Sequence, residues 1–563
     1  MDKKEVASIL NDIGVMLELK GENPFKAKAY YNGARAIERL DGDLKTMVEE
    51  GTLSNIDGIG STLEEKITEL VTTGTLRYYE ELKSSFPSSL FELLQIPGLG
   101  PKRVKSLYEN LNITNIGELE YACMENRLVT LPGFGKKMQD NILQGIKILK
   151  AYRGKFLYIE AYKVAEEIVS TLKMHPDTID IDIAGSLRRH KELIGDVDII
   201  LSANDSQDIM NFFSSLQDVE EIVAKGSTKS SVRLKNGIVV DLRVVSPYEY
   251  PYALNHFTGS KEHNTHMRRI AKEQGLKINE YGIFNTVNGE LISCKDERDI
   301  YAVFDMDYIP PELREDMGEI EAAKAHSLPK LISESDLKGV LHIHSIYSDG
   351  LNTIGELAEY ARNLGYSYIG ISDHSKSAYY ANGLLEDDIY RQFEEIDAVN
   401  EKYDDFKVLK GIEADILKDG SIDYDDNILS MFDFVIASVH SNFTMAKEEM
   451  TERILKALSN PYVKILGHPT GRLLLSREGY EIDMEKILGK AAKEGIAVEI
   501  NSNPYRLDLD WRWCKVAKEM GVDIAICPDA HDLKGFSYVS LGVGIARKGW
   551  LETEDVLNCR EIW

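Results

Sequence analysis

The segment LHIHSIYSDG (341–350) places His342, His344 and Asp349 within eight positions. Side chains two apart on a strand point the same way, so both imidazoles can grip one ion. From residue 331 onward the chain holds six histidines, at 342, 344, 374, 440, 468 and 531. Each closes or sits in an apolar run of strand character, such as YSYIGISDH (366–374), FDFVIASVH (432–440) or YVKILGH (462–468). A lone strand-end histidine is usually a hydrogen-bonded structural residue; six of six at that place point to ligation. Asp349, Glu413 and Asp529 stand at or just past strand ends too. The set His342, His344, Asp349, His374, Glu413, His440, His468, Asp529 and His531 offers nine N/O donors, enough for about three borderline divalent ions completed by water or substrate oxygens. Closely spaced ions bridged by a carboxylate generate hydroxide and stabilise a phosphoryl transition state.

A second constellation lies in IAGSLRRHKELIGDVDIIL (183–201). A Gly-Ser turn opens a helix-like stretch, and GDVDII then reads as a strand with Asp196 and Asp198 on one face. A further β run, GIVVDLRVV (237–245), carries Asp241 midway. Acids inside apolar strands are costly unless paired or metal-bound. Three convergent carboxylates suit two-metal phosphoryl transfer; an Asp-x-Asp pair alone also fits a structural pair or a calcium site, and the preceding Gly-Ser turn and the third aspartate favour nucleotidyl transfer.

The elements that position these groups differ along the chain. The second half alternates β runs with helical stretches, which implies a parallel sheet or barrel with function gathered at strand carboxyl ends. The front half repeats apolar–x–Gly–apolar–Gly before a helix-like run: IDGIGSTLEEKI (56–67), IPGLGPKRVKSL (96–107) and LPGFGKKMQDNI (131–142). Gly58 and Gly60, Gly98 and Gly100, and Gly133 and Gly135 permit positive φ and close backbone approach. Amides at the next helix then face a phosphate oxygen, with Lys102, Arg103, Lys136 and Lys137 close by. These turns resemble helix–hairpin–helix motifs, which bind the DNA backbone without reading sequence.

Composition sets bounds. With 563 residues, three or four domains are expected, and the composition, 43% hydrophobic and 28% charged, is that of a soluble globular protein. The net charge of −27 excludes a protein that merely coats nucleic acid; any grip on DNA must be local. No apolar run approaches a membrane span, and the start MDKKEVASILNDIGVML lacks a signal-peptide core. Five scattered cysteines without a CxxC pair argue for a reducing compartment. A cytoplasmic, nucleoid-associated and monomeric protein is expected.

The front half is similar to family X DNA polymerases over residues 1–325. By that resemblance, Gly185, Ser186 and Arg189 bind the triphosphate, and Asp196, Asp198 and Asp241 are the catalytic carboxylates holding Mg²⁺ or Mn²⁺. In HFTGSKEHNTHMRR (256–269), Phe257, Thr258 and Gly259 pass the sugar, Asn264 meets the minor-groove edge of the base, and Arg268 lies near the templating base. The segment NPFKAKAYYNGARAIERL (23–40) resembles the family's gap-binding amino-terminal domain, and Lys66 falls where some members form a Schiff base with an abasic sugar. Thr62 and Tyr30 stand where such members keep lysines, His256 where vertebrate members have tyrosine, and Val239 where an arginine precedes the third aspartate. The second half resembles the polymerase-and-histidinol-phosphatase (PHP) domain, a distorted seven-stranded barrel. All nine ligand positions are filled; the resemblance makes Glu413 the bridging carboxylate, and Val340 replaces a common non-ligand aspartate.

The resulting expectation is a multidomain α+β and α/β chain. It comprises helix–hairpin–helix regions (1–85 and 86–150), a nucleotidyltransferase-type palm with a mixed sheet (151–255), a nucleotide-closing subdomain (256–325), a linker (326–339) and a (β/α)7 PHP barrel (340–563). The resemblance implies template-directed filling of short gaps in base-excision repair, on gapped or primed DNA with deoxynucleoside triphosphates. It also implies a 3′→5′ exonuclease with Zn²⁺, Mn²⁺ or Fe²⁺, extending to 3′-phosphatase or abasic-site cleavage. The alternatives are a small-molecule phosphoesterase fused to a DNA-binding half, and a non-catalytic DNA-end scaffold.

Overall fold

The computed structural model describes residues 3–561 apart from 39, 41–43, 57, 97 and 152–153; Asp57 and Pro97 of the first two glycine turns, and Arg39, lie outside the described residues. The chain divides into two units, residues 1–149 and 150–563.

The first unit is helical, with one apolar core around Leu10, Ile13, Leu17, Ile37 and Ile67 and another around Leu93, Leu107, Leu119 and Ile142. Its three glycine turns share one construction. The first glycine has positive φ (Gly58 +94°, Gly98 +87°, Gly133 +84°), which only glycine adopts cheaply. A buried apolar residue follows and closes the turn by a backbone hydrogen bond: Ile59 N to Ile56 O, 3.0 Å; Leu99 N to Ile96 O, 3.0 Å; Phe134 N to Leu131 O, 3.1 Å. The helices Ser61–Thr73, Pro101–Leu111 and Lys136–Ala151 start immediately after. A Cβ at Gly60, Gly100 or Gly135 would meet nothing within 4 Å, so the space over each turn is open.

The second unit begins with a mixed five-stranded sheet: β1 (Asp180–Ile183), β2 (Asp196–Ser202), β3 (Val219–Lys225), β4 (Lys229–Leu234) and β5 (Val239–Val245). Its order is β1-β2-β5-β4-β3, with β2 and β5 parallel and the other pairs antiparallel. In β5 the even-numbered residues Val240, Leu242 and Val244 are buried, leaving Asp241 on the other face. A small antiparallel sheet, Leu276–Asn279, Gly282–Asn285 and Leu291–Ile292, shares a core of Met267, Ile270, Tyr301 and Phe304 with the helix Lys261–Glu273.

Seven parallel strands follow in sequential order: β6 (Gly339–Ile343), β7 (Tyr368–Ile371), β8 (Lys407–Asp415), β9 (Phe434–Ser438), β10 (Val463–Leu466), β11 (Ala497–Asn501) and β12 (Ile524–Cys527). They form a nearly closed barrel, because Ala530 N donates to His342 O (3.2 Å) and His344 N to Ala530 O (2.8 Å). Gly370 and Gly411 leave room for the Phe434 ring, which would sit 2.5 and 2.2 Å from a Cβ at either position. One continuous apolar core joins the mixed sheet (Val197, Leu201, Val240) to the barrel (Ile343, Val435, Ile500). Among the described residues no helix is long and apolar enough to cross a membrane, and no disulfide links the cysteines.

Candidate active sites

Parallel pairing of β2 with β5 sets Asp198 directly opposite Asp241, with Asp196 two residues back on the same face as Asp198. Burial and the neighbouring carboxylates of Asp196 and Asp241 push Asp198 up to about 6, against the pull of Arg243 and Lys229. The Lys229 ammonium pairs with Asp241. Gly185 opens the short helix Gly185–Arg188 with φ +63°, and a Cβ there would fall 2.2 Å from Asp198 Oδ2. The glycine of the Gly-Ser turn is therefore demanded both by its backbone and by the carboxylate beside it.

A cleft of about 330 Å³ opens at Asp198, lined by Gly185, Ser186, Arg189 and Asp196 and by Phe257, Gly259, Asn264 and Arg268. Thr258 is fully buried behind it: its carbonyl accepts from Arg189 Nη1 (2.5 Å) and its hydroxyl from Arg188 Nη1 (2.8 Å). Asn264 Nδ2 donates to His256 O (2.7 Å), and the Arg243 guanidinium lies 4.1 Å from the Phe257 ring centre. Lys261 also lines the cleft and was missed by sequence reasoning, although it follows Gly259 by only two residues. A second missed feature is the buried chain Arg188–Glu297–Arg314, with contacts of 2.7 and 2.6 Å. Burial alone would raise Glu297, but the two guanidinium groups hold it at about 2.

At the barrel's carboxyl end all nine expected donors converge around Glu413. Its Oε1 lies 3.0 Å from His468 Nε2, 3.2 Å from His440 Nε2 and 3.4 Å from His342 Nε2; its Oε2 lies 2.9 Å from His374 Nδ1 and 3.7 Å from His344 Nε2. Asp529 Oδ1 approaches His344 Nε2 at 3.1 Å, and Asp349 Oδ1 approaches His531 Nε2 at 3.3 Å. Three overlapping sets each gather ligand atoms within 4.8 Å: His344, Asp349, His374 and His531; His342, His344 and Asp529; His374, Glu413 and His440. His344 Nδ1 is buried without a hydrogen bond, the state of a polar atom aimed at an ion. Burial pulls His344 and His468 down, while the carboxylates of Glu499, Glu413 and Asp415 push His342 and His440 up against the same burial. Three of the nine expected donors hold left-handed backbone, His342 (+61°), His468 (+22°) and Asp529 (+52°), local strain of a kind that clusters at functional sites.

Sequence reasoning missed the groups that aim these ligands. Glu499 on β11 pairs with His342 Nδ1 at 2.5 Å and accepts from His468 N at 2.5 Å. Asp415 holds His440 Nδ1 at 2.6 Å. Asp373 accepts from Ser345 N and from the hydroxyls of Ser345 and Ser348 (2.5–2.7 Å), and so fixes the loop that leads to Asp349. An acid inside an apolar strand was the criterion that found Asp241, and it applies equally to Glu499 in GIAVEIN.

In the first unit, Lys102 and Lys136 are exposed beside their turns, while Arg103 Nη1 folds back onto Gly98 O at 2.6 Å. Lys66 is half-buried with its ammonium 4.0 Å from the centre of the Tyr78 ring.

Three glycine turns of one construction, a carboxylate pair beside a cleft, and a cluster of histidines and acids at one end of a barrel are the parts of a nucleic-acid-processing enzyme. The comparisons agree part by part. Residues 1–76 match a helix-hairpin-helix domain, 90–147 a SAM-like helix-hairpin-helix tandem, 253–315 the DNA polymerase beta thumb and 341–503 the PHP domain. Over its full length the chain is 40% identical to the DNA polymerase/3′-5′ exonuclease PolX of Bacillus subtilis (strain 168), covering 98% of that protein. It belongs to that family, the family X DNA polymerases with a carboxy-terminal PHP domain. Over 201 residues, 34% of the chain, it is also 33% identical to a protein named as a probable phosphatase from Caldanaerobacter subterraneus, covering 74% of that protein. A similar protein from Clostridium acetobutylicum is 30% identical and 78% covered.

Proposed function

We propose that the chain fills short gaps in DNA by template-directed nucleotidyl transfer and removes 3′-terminal nucleotides at its barrel centre. The observation that carries the first activity is the register of Asp198 against Asp241 beneath the cleft. Asp196, Asp198 and Asp241 would hold Mg²⁺ or Mn²⁺, which supplies Lewis-acid stabilisation and activation of the primer 3′-oxygen. Ser186, the Gly185 turn and Arg189 bind the triphosphate, Phe257 to Gly259 pass the sugar, and Asn264 and Arg268 face the nascent pair. The turns at Gly58 and Gly60, Gly98 and Gly100, and Gly133 and Gly135, with Lys102 and Lys136, track the phosphate backbone. The buried Thr258 and its two arginine contacts support this assignment.

At the barrel the nine donors would hold about three divalent ions drawn from Zn²⁺, Mn²⁺ and Fe²⁺, with Glu413 bridging. The contacts of Glu413 with five histidines support that role. Bound there, such ions would supply Lewis-acid stabilisation and activation of water for phosphodiester cleavage, while Glu499, Asp415 and Asp373 keep the donors oriented. Lys66, lying over Tyr78, is offered as the Schiff-base lysine for abasic ends. The segment limits read from sequence (1–85, 86–150, 151–255, 256–325, 326–339 and 340–563) are retained as domain boundaries, for a monomeric, cytoplasmic, nucleoid-associated enzyme.

The test uses a duplex with a one-nucleotide gap, incubated with nucleotides and Mg²⁺ or Mn²⁺. Incorporation opposite the template base that disappears in Asp241→Ala is expected; no incorporation by the wild-type protein would overturn the reading. The likeness of the barrel to proteins named as phosphatases favours a second substrate class, small phosphate monoesters. Hydrolysis of such esters without any loss of 3′ nucleotides would select it over the exonuclease.

A further inference from the structure

Lys548 ends the helix Val539–Lys548, which follows the last barrel strand and the ligand His531. It is 1% exposed, and its ammonium lies 4.6 Å from the Trp511 ring centre within the barrel half, yet its hydrogen-bond partners lie outside that half. Its ammonium donates to Glu315 Oε1 at 2.6 Å, to the carbonyl of Arg189 at 2.8 Å and to that of Glu312 at 3.3 Å. Burying an ammonium costs several kcal/mol unless excellent partners compensate, and an apolar side chain would serve packing alone. Burial pulls this ammonium down to about 8, although Glu315 pushes the other way.

Glu315 is where this barrel-half lysine meets the side chains of the cleft. The oxygen that takes the Lys548 proton also accepts from Arg189 Nε at 3.1 Å, and the other oxygen lies 3.1 Å from Lys191 Nζ. The far end of Arg189 donates to the Thr258 carbonyl, immediately before the Gly259 that lines the cleft. Lys548 thus holds the main chain of Arg189 directly and its guanidinium through one carboxylate. The same helix is pressed against the neighbouring residue: a Cβ on Gly544 would fall 2.2 Å from His190 Nδ1.

We infer that Lys548, a residue of the barrel half, is a positioning residue for nucleotidyl transfer: it shares the charge of Glu315 and so leaves Arg189 oriented toward the triphosphate. This rests on the proposed reading of the cleft as the triphosphate site. Without Lys548, the carboxylate falls to Arg189 and Lys191 alone, and the guanidinium is held back from the incoming phosphates. The loss is one of nucleotide binding, because Lys548 touches neither the carboxylates nor the primer path.

The test is steady-state gap filling by the full chain, with 3′-end degradation and thermal melting measured on the same preparations. Lys548→Met is expected to raise KM for the nucleotide about tenfold, with kcat and 3′-end degradation each within about twofold of wild type. Lys548→Arg should restore most of the loss. Adding Glu315→Gln to Lys548→Met should lower KM again, a rescue that a merely structural lysine would not show. A folded Lys548→Met with unchanged KM, or the absence of rescue in the double variant, overturns the inference. If Lys548→Met melts early or loses 3′-end degradation, Lys548→Gln decides in its place, since it keeps a polar donor beside the carbonyls of Arg189 and Glu312 but no charge for Glu315; wild-type KM in that variant overturns the inference. Arg189→Ala separates the two levels. If it leaves KM unmoved, the triphosphate reading fails and the inference with it; if it raises KM while Lys548→Met does not, the inference alone fails.

Discussion

Asp198 and Asp241 face each other across adjacent parallel strands, and Gly185 touches the first of them so closely that no side chain fits between. Gly185→Ala should therefore displace the Asp198 carboxylate and strain a backbone at φ +63°. Nucleotide incorporation is expected to fall about 10²-fold, the scale of an ångström-level misplacement of a reacting group. Degradation of 3′ ends should be unchanged. Single-nucleotide gap filling beside an end-degradation assay checks this, and wild-type incorporation would refute it.

The buried Arg188–Glu297–Arg314 chain predicts a stability effect. Glu297→Ala leaves Arg314, fully buried, without its carboxylate, and a loss of about 3–5 kcal/mol is expected. The sign with pH follows from a carboxyl held at about 2, below its ordinary 4.5. Its contribution is present above pH 4.5 and lost as pH falls toward 2. Denaturant melts of wild type and variant should differ most near neutrality and converge in acid.

Glu499 predicts a metal phenotype without being a ligand. Glu499→Gln weakens the grip on His342 and on the backbone of His468, and divalent-metal affinity of the barrel centre should drop about 10–100-fold. Metal content after dialysis reads this directly. Gap filling should be unaffected, and unchanged metal content would contradict the role.

Lys102 and Lys136 predict a salt signature. Replacing either by Gln should weaken binding to gapped DNA equally for all sequences and reduce the slope of log affinity against log salt by about one. A sequence-dependent loss would place these lysines on bases instead of phosphates.

The barrel centre was legible because one residue type recurs at one place: every histidine after 331 falls at a strand end, and the fold brings strand ends together. The carboxylate pair was legible because acids in β2 and β5 break an apolar pattern. The supporting groups were harder to see. Glu499 looked like any acid, since its partner His342 lies more than 150 residues away and a lone strand acid carries no address. Arg314 and Lys548 act through contacts between segments remote in sequence, and no local period records those. Glu315 illustrates the limit: an ordinary surface-type residue in PPELREDMG, it becomes the meeting point of Arg189, Lys191 and Lys548 only once the barrel is in place.

Whether one chain carries two separate phosphoryl-transfer centres is tested most directly on one gapped, 3′-labelled duplex, assayed with and without nucleotides for Asp198→Ala and His344→Ala. Asp198→Ala should lose extension by more than about 10²-fold while still removing the 3′ label. His344→Ala should extend normally and leave the label in place. Loss of both activities in either variant, or survival of 3′-end removal in His344→Ala, would contradict two separate centres.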